Sequence, residues 1–311
     1  MLRKGRTMPI EKIKIKSNQD GLELDFLLIK PEGEIKGIVQ ISHGMAEHKE
    51  RYKPFMEYLA SCGYMAIIHD HRGHGASVKR LDDLGYFYDE KAEAIVEDLH
   101  QITTYIKNQY PNKKVILLGH SMGSMVVRKY IKKYDNDIDK LIVCGSPSRN
   151  PFAGLALRVV KLLKTFKGEY HRSNFIQRLA FGTYNKNIKN PSSPNAWVCA
   201  NENIVKQYDE DELNGFVFTL NGFQNLFILM KDIYDKQGWE LNNKELPIFF
   251  IAGADDPVIM STKHWQKAQS FLKELGYQNV SGKLYAGMRH EILNEKENKT
   301  VFEDVLEWIE K

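Results

Sequence analysis

Four consecutive apolar residues, Val115-Ile116-Leu117-Leu118, run directly into Gly119-His120-Ser121-Met122-Gly123. The run, with its β-branched members, reads as a buried strand. Beyond it Met122, Met125, Val126, Lys129, Tyr130 and Tyr134 recur at helical spacing, so Ser121 falls on a strand-to-helix turn. Gly119 and Gly123 withhold side chains where so tight a turn crowds its neighbours. The serine hydroxyl is thereby held up at the carboxyl end of a sheet, in the manner of a nucleophile elbow.

The flanking sequence supplies that sheet. Alternating segments at 13–16 and 22–26, separated by Asn18-Gln19-Asp20-Gly21, form a hairpin signature. Strand patterns at 37–41, 64–68, 115–118 and 141–144 then alternate with helical patterns over 51–60 and 90–109. This is the order of a parallel sheet covered on both faces. Between 148 and about 245 no buried strand is evident, only helical pieces joined by polar stretches. Alternation resumes at 247–253, followed by a helix over 262–275, a strand at 282–285 and a last helix from Thr300. The predicted fold is an α/β core made of 1–147 and 246–311, with a helical cap inserted at 148–245.

Composition narrows the partners. With 311 residues, 42% hydrophobic and 27% charged, the chain suits a globular α/β domain carrying an insertion. The net charge of +4 comes from lysines scattered among nearly as many acids, so no nucleic-acid partner is expected. Cys62, Cys144 and Cys199 are odd in number and widely spaced, which fits unpaired thiols in a reducing compartment. Residues 1–6 are basic, but no apolar run of signal-peptide length follows, and no stretch reaches the roughly 18 apolar residues of a membrane span. A cytoplasmic protein is expected, peripheral at a membrane if its cap touches lipid.

A serine hydroxyl needs a base to take its proton and an acid to orient that base. After the strand ending at Gly253 come Asp255 and Asp256; Pro257 biases Asp256 toward extended backbone and so favours it as the acid. Two histidines follow: His264 lies within a helix, whereas His290 sits on a short loop after the strand at 282–285, where the base belongs. The oxyanion needs backbone donors, here the N–H of Met122 and, after the early strand, that of Met45 in His43-Gly44-Met45. His69, His71 and His74 crowd one loop, but their spacing matches no metal-ligand pattern, and neither metal nor organic cofactor is expected.

Gly119 to Gly123, His43-Gly44-Met45-Ala46-Glu47-His48 with Arg51-Tyr52, Asp70-His71-Arg72-Gly73-His74-Gly75 and Gly253-Ala254-Asp255-Asp256-Pro257-Val258 together resemble the monoacylglycerol lipase and lysophospholipase branch of the α/β-hydrolases. The resemblance implies Ser121 as nucleophile, Asp256 as acid, His290 as base and Met45 and Met122 as oxyanion donors. The implied substrate is a single-acyl lipid ester. An aminopeptidase or thioesterase on the same triad is the enzymatic alternative, with Asp209-Glu210-Asp211-Glu212 as a recognition site for a substrate amine. A non-catalytic ligand-binding protein is the other. In the cap, Phe216, Phe218, Phe223, Phe227 and Met230 offer surface for an acyl chain. Arg158, Lys161, Lys164 and Lys167 recur every three residues, which fits either a helix resting on an anionic lipid surface or a solvated helix face.

Overall fold

The computed structural model describes residues 9–311, so the basic residues 1–6 lie outside the described residues. The hairpin is present: β1 (Ile10–Lys16) pairs antiparallel with β2 (Glu23–Ile29), Ile13 opposite Phe26. Then come β3 (Gly37–Ser42), α1 (Lys53–Ser61), β4 (Tyr64–His69), α2 (Ala94–Gln109), β5 (Val115–His120), α3 (Met122–Tyr134) and β6 (Lys140–Cys144). Four helices follow: α4 (Ala153–Lys167), α5 (Asn174–Phe181), α6 (Glu202–Glu210) and α7 (Leu220–Asp232). The chain closes with β7 (Ile248–Gly253), α8 (Thr262–Leu275), β8 (Val280–Tyr285) and α9 (Asn298–Glu310).

The eight strands form one sheet in the order β1-β2-β4-β3-β5-β6-β7-β8, parallel from β4 onward. This is the α/β-hydrolase fold, with β5 at its centre. Strands β3, β4, β5 and β7 are buried along their whole length, which is why they read as continuous apolar runs. Alternate residues serve opposite faces. Ile38, Ile67, Leu117 and Val143 face a core shared with α2 and α3, while Val39, Ile68, Leu118 and Ile142 face one shared with α1 and α9. Each such side chain contributes roughly 1.5–3 kcal/mol by leaving water.

Three helix starts differ from their sequence patterns, α9 by opening at Asn298 rather than Thr300. α1 is preceded by a 3-10 turn over Lys49–Tyr52, with Pro54 near its first position. α2 begins at Ala94 rather than at residue 90, because the Asp89 carboxylate accepts from the backbone N–H groups of Glu90, Lys91, Glu93 and Ala94 and bends the chain there. Between β6 and β7 the described residues contain only helices and an isolated bridge from Arg172 to Thr219. α7 packs on both α3 and α4, and its Phe223, Leu226 and Phe227 join the main core. The segment is therefore anchored to the sheet layer rather than tethered beside it.

Candidate active site

Ser121 is the residue between β5 and α3. Its φ of 53° and ψ of −116° are strained for a residue with a Cβ, and its side chain makes no capping bond. The turn is forced by close approach: a Cβ on Gly119 would lie 2.4 Å from the Gly123 carbonyl oxygen, and one on Gly123 would lie 2.1 Å from that of Ser42. Only glycine fits either place.

His290 follows β8, and Asp256 follows β7. The two side chains meet, His290 Nδ1 to Asp256 Oδ2 at 2.9 Å, both buried. A carboxylate can only accept, so Nδ1 donates and Nε2 is left as an acceptor. Asp256 is also fixed by the backbone N–H of Val258, which donates to its Oδ1. Asp255 is exposed, and His264 is engaged at the start of α8, where the N-cap Ser261 accepts from its backbone N–H and lies 2.9 Å from its Nδ1. Gly44, Met45, Ser121, Met122 and His290 line a single cavity of about 280 Å³. A larger, shallower depression of about 620 Å³, lined by Asp20, Tyr86 and Tyr170, shares none of these residues.

The turn after β3 is oriented from beneath by histidines. The backbone N–H of His71 donates to His43 Nε2 at 2.9 Å, so His43 Nδ1 carries the proton and donates to the Gly44 carbonyl at 2.8 Å. In a planar trans peptide the Met45 N–H points opposite to that carbonyl, away from the histidine core. His43, His69, His71 and His74 are fully buried; burial lowers His43 to about 4 and His69 and His74 to about 3, and pushes His71 down as well. Neutral rings fill this space. Among the described residues no group of His, Cys, Asp or Glu is arranged to hold a metal.

A charged cluster that the motif reading did not anticipate ties the loops together. Glu47 accepts from the Gly44 N–H, the Tyr52 hydroxyl and the Arg51 guanidinium, and Arg51 reaches on to Glu291, beside His290. His120 lies between two acceptors, Glu47 Oε1 at its Nδ1 and the His290 carbonyl at its Nε2, each 3.3 Å away. Nδ1 is also 3.1 Å from the Tyr52 hydroxyl, which itself donates to Glu47, so acceptors face the ring on both sides. Burial opposes a charge on the ring, but the hydrogen bond and charge of Glu47 outweigh it and raise His120 above its usual value. Burial likewise works to raise Glu47, yet His120 and Arg51 hold it well below the usual range. Two buried carboxylates thus share one guanidinium, with the His120 ring beside Glu47.

Other residues singled out above are placed elsewhere. Asp209 accepts from Asn195 and Asp211 pairs with His48, and none of Asp209 to Glu212 lines the cavity. Lys164 turns inward to Glu90, so the basic stripe of α4 is not one continuous face. Cys62, Cys144 and Cys199 are free thiols, and no helix among the described residues is long and apolar enough to cross a membrane.

Comparison with known proteins agrees with this fold. Residues 33–297 match the family model described as serine aminopeptidase, S33. A monoacylglycerol lipase of Mycolicibacterium smegmatis is 25% identical over 292 residues, covering 93% of each chain. A thermostable carboxyl esterase from Bacillus coagulans, solved with glycerol, superposes with a TM-score of 0.90 at 27% identity over 98% of this chain and 99% of that one. A soluble variant of the monoglyceride lipase of Saccharomyces cerevisiae shares the fold, with a TM-score of 0.74 at 18% identity over 97% and 95% of the two chains. The chain belongs to the serine aminopeptidase S33 family, in the monoacylglycerol lipase-like branch of the α/β-hydrolases.

Proposed function

We propose that this protein is a serine carboxylic-ester hydrolase acting on single-acyl lipids, monoacylglycerol or lysophospholipid. The observation that carries the reading is the convergence of a strained Ser121 and the hydrogen-bonded pair His290 and Asp256 on one cavity. Ser121 Oγ attacks the ester carbonyl carbon as its proton passes to His290 Nε2, and Asp256 stabilises the imidazolium. The backbone N–H groups of Met45 and Met122 receive the oxyanion, each worth roughly 10²–10³ in rate. Collapse breaks the bond to the alcohol, which leaves with the proton from Nε2. Water, activated by the same imidazole, then releases the fatty acid from Ser121.

Residues 148–245 act in this reading as a cap that selects substrate. Phe181, Trp197, Phe216, Phe227 and Met230 line the cavity and suit an acyl chain. The lining carboxylates, Glu47 and Glu291, are both held by Arg51, so none is free to receive a substrate ammonium. That favours ester over aminoacyl amide. A panel of monoacylglycerols, lysophospholipids, short esters, thioesters and aminoacyl amides, run with wild type and Ser121→Ala, tests it. Preferred turnover of the lipid esters, abolished in Ser121→Ala, is expected; retained activity or a preference for amides defeats the reading.

The cap is also proposed to rest transiently on an anionic lipid surface. Residues 149–201 hold nine basic side chains and one carboxylate, so the remaining chain is net acidic although the total is +4. On α4 the outward face interleaves Leu155, Leu162 and Phe166, exposed by 60–80%, with Arg158, Lys161 and Lys167. Phe175 and Leu179 extend the apolar surface on α5. A merely solvated face would not carry so many large apolar groups. Flotation with anionic vesicles should lose the protein when Lys161 and Lys167 become Glu; equal flotation would remove the membrane from the account.

A further inference from the structure

The oxyanion turn is held from beneath by the core and from above by the segment between β6 and β7. Ala46, directly after Met45, has a φ of 50°, a conformation that a residue with a Cβ keeps only where its surroundings over-determine it. Its carbonyl oxygen accepts two hydrogen bonds, and both donors come from that segment. The Tyr208 hydroxyl, at the end of α6, donates at 2.9 Å. The backbone N–H of Gly215 also donates at 2.9 Å. Two residues on, His48 Nε2 is 2.8 Å from Asp211 Oδ2. The Tyr208 ring lies under the Arg51 guanidinium, 4.8 Å from ring centroid to carbon, and so touches the cluster that holds Glu47 and Glu291.

This small piece of chain is itself braced. The Asp211 side chain accepts from the Leu213 N–H and its carbonyl from the Asn214 N–H, each at 2.9 Å. Tyr208 is buried, in a separate small cluster with Val198, Cys199 and Val205 rather than in the main core. The turn that carries the Met45 N–H therefore has a lower half made of core histidines and an upper half made of residues 208–215.

We propose that Tyr208 and the Asp211–Gly215 turn are positioning elements of the oxyanion hole: by filling both acceptor sites of the Ala46 carbonyl and pairing with His48, they hold Met45 in its donating orientation only while the cap is seated. The inference rests on the hydrolase reading above and adds to it a coupling. Seating the cap and completing the oxyanion hole are one event, so a cap lifted for substrate entry leaves Ser121 without its second donor. Ester chemistry is thereby confined to substrate already enclosed.

Tyr208→Phe removes one of the two bonds and keeps the ring beneath Arg51. In the full chain, kcat on a p-nitrophenyl acyl ester should fall about five- to tenfold, as for one hydrogen bond, with KM within twofold. The inhibition constant of an alkylboronic acid, which becomes tetrahedral on Ser121 and puts an oxygen where the oxyanion forms, should rise by the same factor. Titration with a fluorophosphonate should still count a full complement of active sites. Asp211→Asn, which weakens the pairing with His48, should move kcat and the boronate constant together in the same direction. An unchanged kcat in Tyr208→Phe, a fall in kcat with unchanged boronate binding, or a loss equal to the fall in titratable sites would overturn the proposal. A wild type that neither cleaves the ester nor binds the boronate would instead overturn the hydrolase reading.

Discussion

Replacing Arg51 by Met keeps an unbranched side chain beside the turn after β3 but deletes the cation between Glu47 and Glu291. Those two carboxylates have side chains only 3% and 5% exposed and share this one guanidinium. Removing one partner of a buried pair costs about 3–5 kcal/mol, because Glu291 is left out of water with no cation and Glu47 with only the His120 ring beside it. In a chain of this size each kcal/mol moves Tm by about 2–3 °C, so the variant should melt roughly 10 °C lower at pH 8. The pH dependence has a definite sign. Against burial, His120 and Arg51 depress Glu47 well below its ordinary 4.5, so its contribution is present above that value and lost as pH falls through the folded one. Without Arg51, with only His120 left to oppose burial, a carboxyl takes up a proton more readily and the variant loses less on acidification. The gap in Tm should narrow between pH 8 and pH 5, as followed by circular dichroism. A variant melting within 2 °C of wild type at pH 8, or a gap that widens on acidification, would refute this account of the cluster.

Three further predictions concern the site and its support. Gly123→Ala places a Cβ 2.1 Å from the Ser42 carbonyl oxygen and should lower ester turnover at least about 100-fold with the helical circular dichroism retained, by displacing the elbow. Asp256→Asn and His290→Ala should reduce kcat by about 10³–10⁴, while Asp255→Asn, exposed, and His264→Ala, bonded to Ser261, should stay within twofold. Because burial lowers His43, His69 and His74 to about 4, 3 and 3, each contributes stability that is full above about 6.5 and drains away as pH falls toward those values. Urea unfolding at pH 5 compared with pH 7 should show a loss on the order of 2 kcal/mol per imidazole, and His69→Phe should recover one such share.

The α/β-hydrolase fold was legible in the sequence because its determinants are local. The continuous apolar runs of β3, β4, β5 and β7 announce strands buried on both faces, and the Gly119 and Gly123 spacing announces the turn between β5 and α3. What local pattern cannot carry is a partner distant in sequence. Glu291 lies 240 residues from Arg51, so the clamp joining the turn after β3 to the His290 loop had no signature beyond an unexplained Glu47, Arg51 and Tyr52 beside the early glycine. Lys164 belongs by periodicity with Lys161 and Lys167, yet its partner Glu90 is 74 residues away and turns it inward. His120 is a motif letter in the sequence; only the fold reveals the Glu47 carboxylate and His290 carbonyl that face its two nitrogens and favour its charged form. Asp209 and Asp211 read as an acidic run, but each is committed to a neighbour, Asn195 and His48.

The claim on which the rest depends is that Ser121 attacks and holds the acyl group. Intact-mass and peptide mass spectrometry of the protein mixed with a slowly deacylating p-nitrophenyl ester, or with a fluorophosphonate, measures this directly. The account predicts one adduct per chain, on the peptide containing Ser121, absent from Ser121→Ala and strongly slowed in His290→Ala. An adduct on another residue, or none while the ester is still turned over, would contradict it.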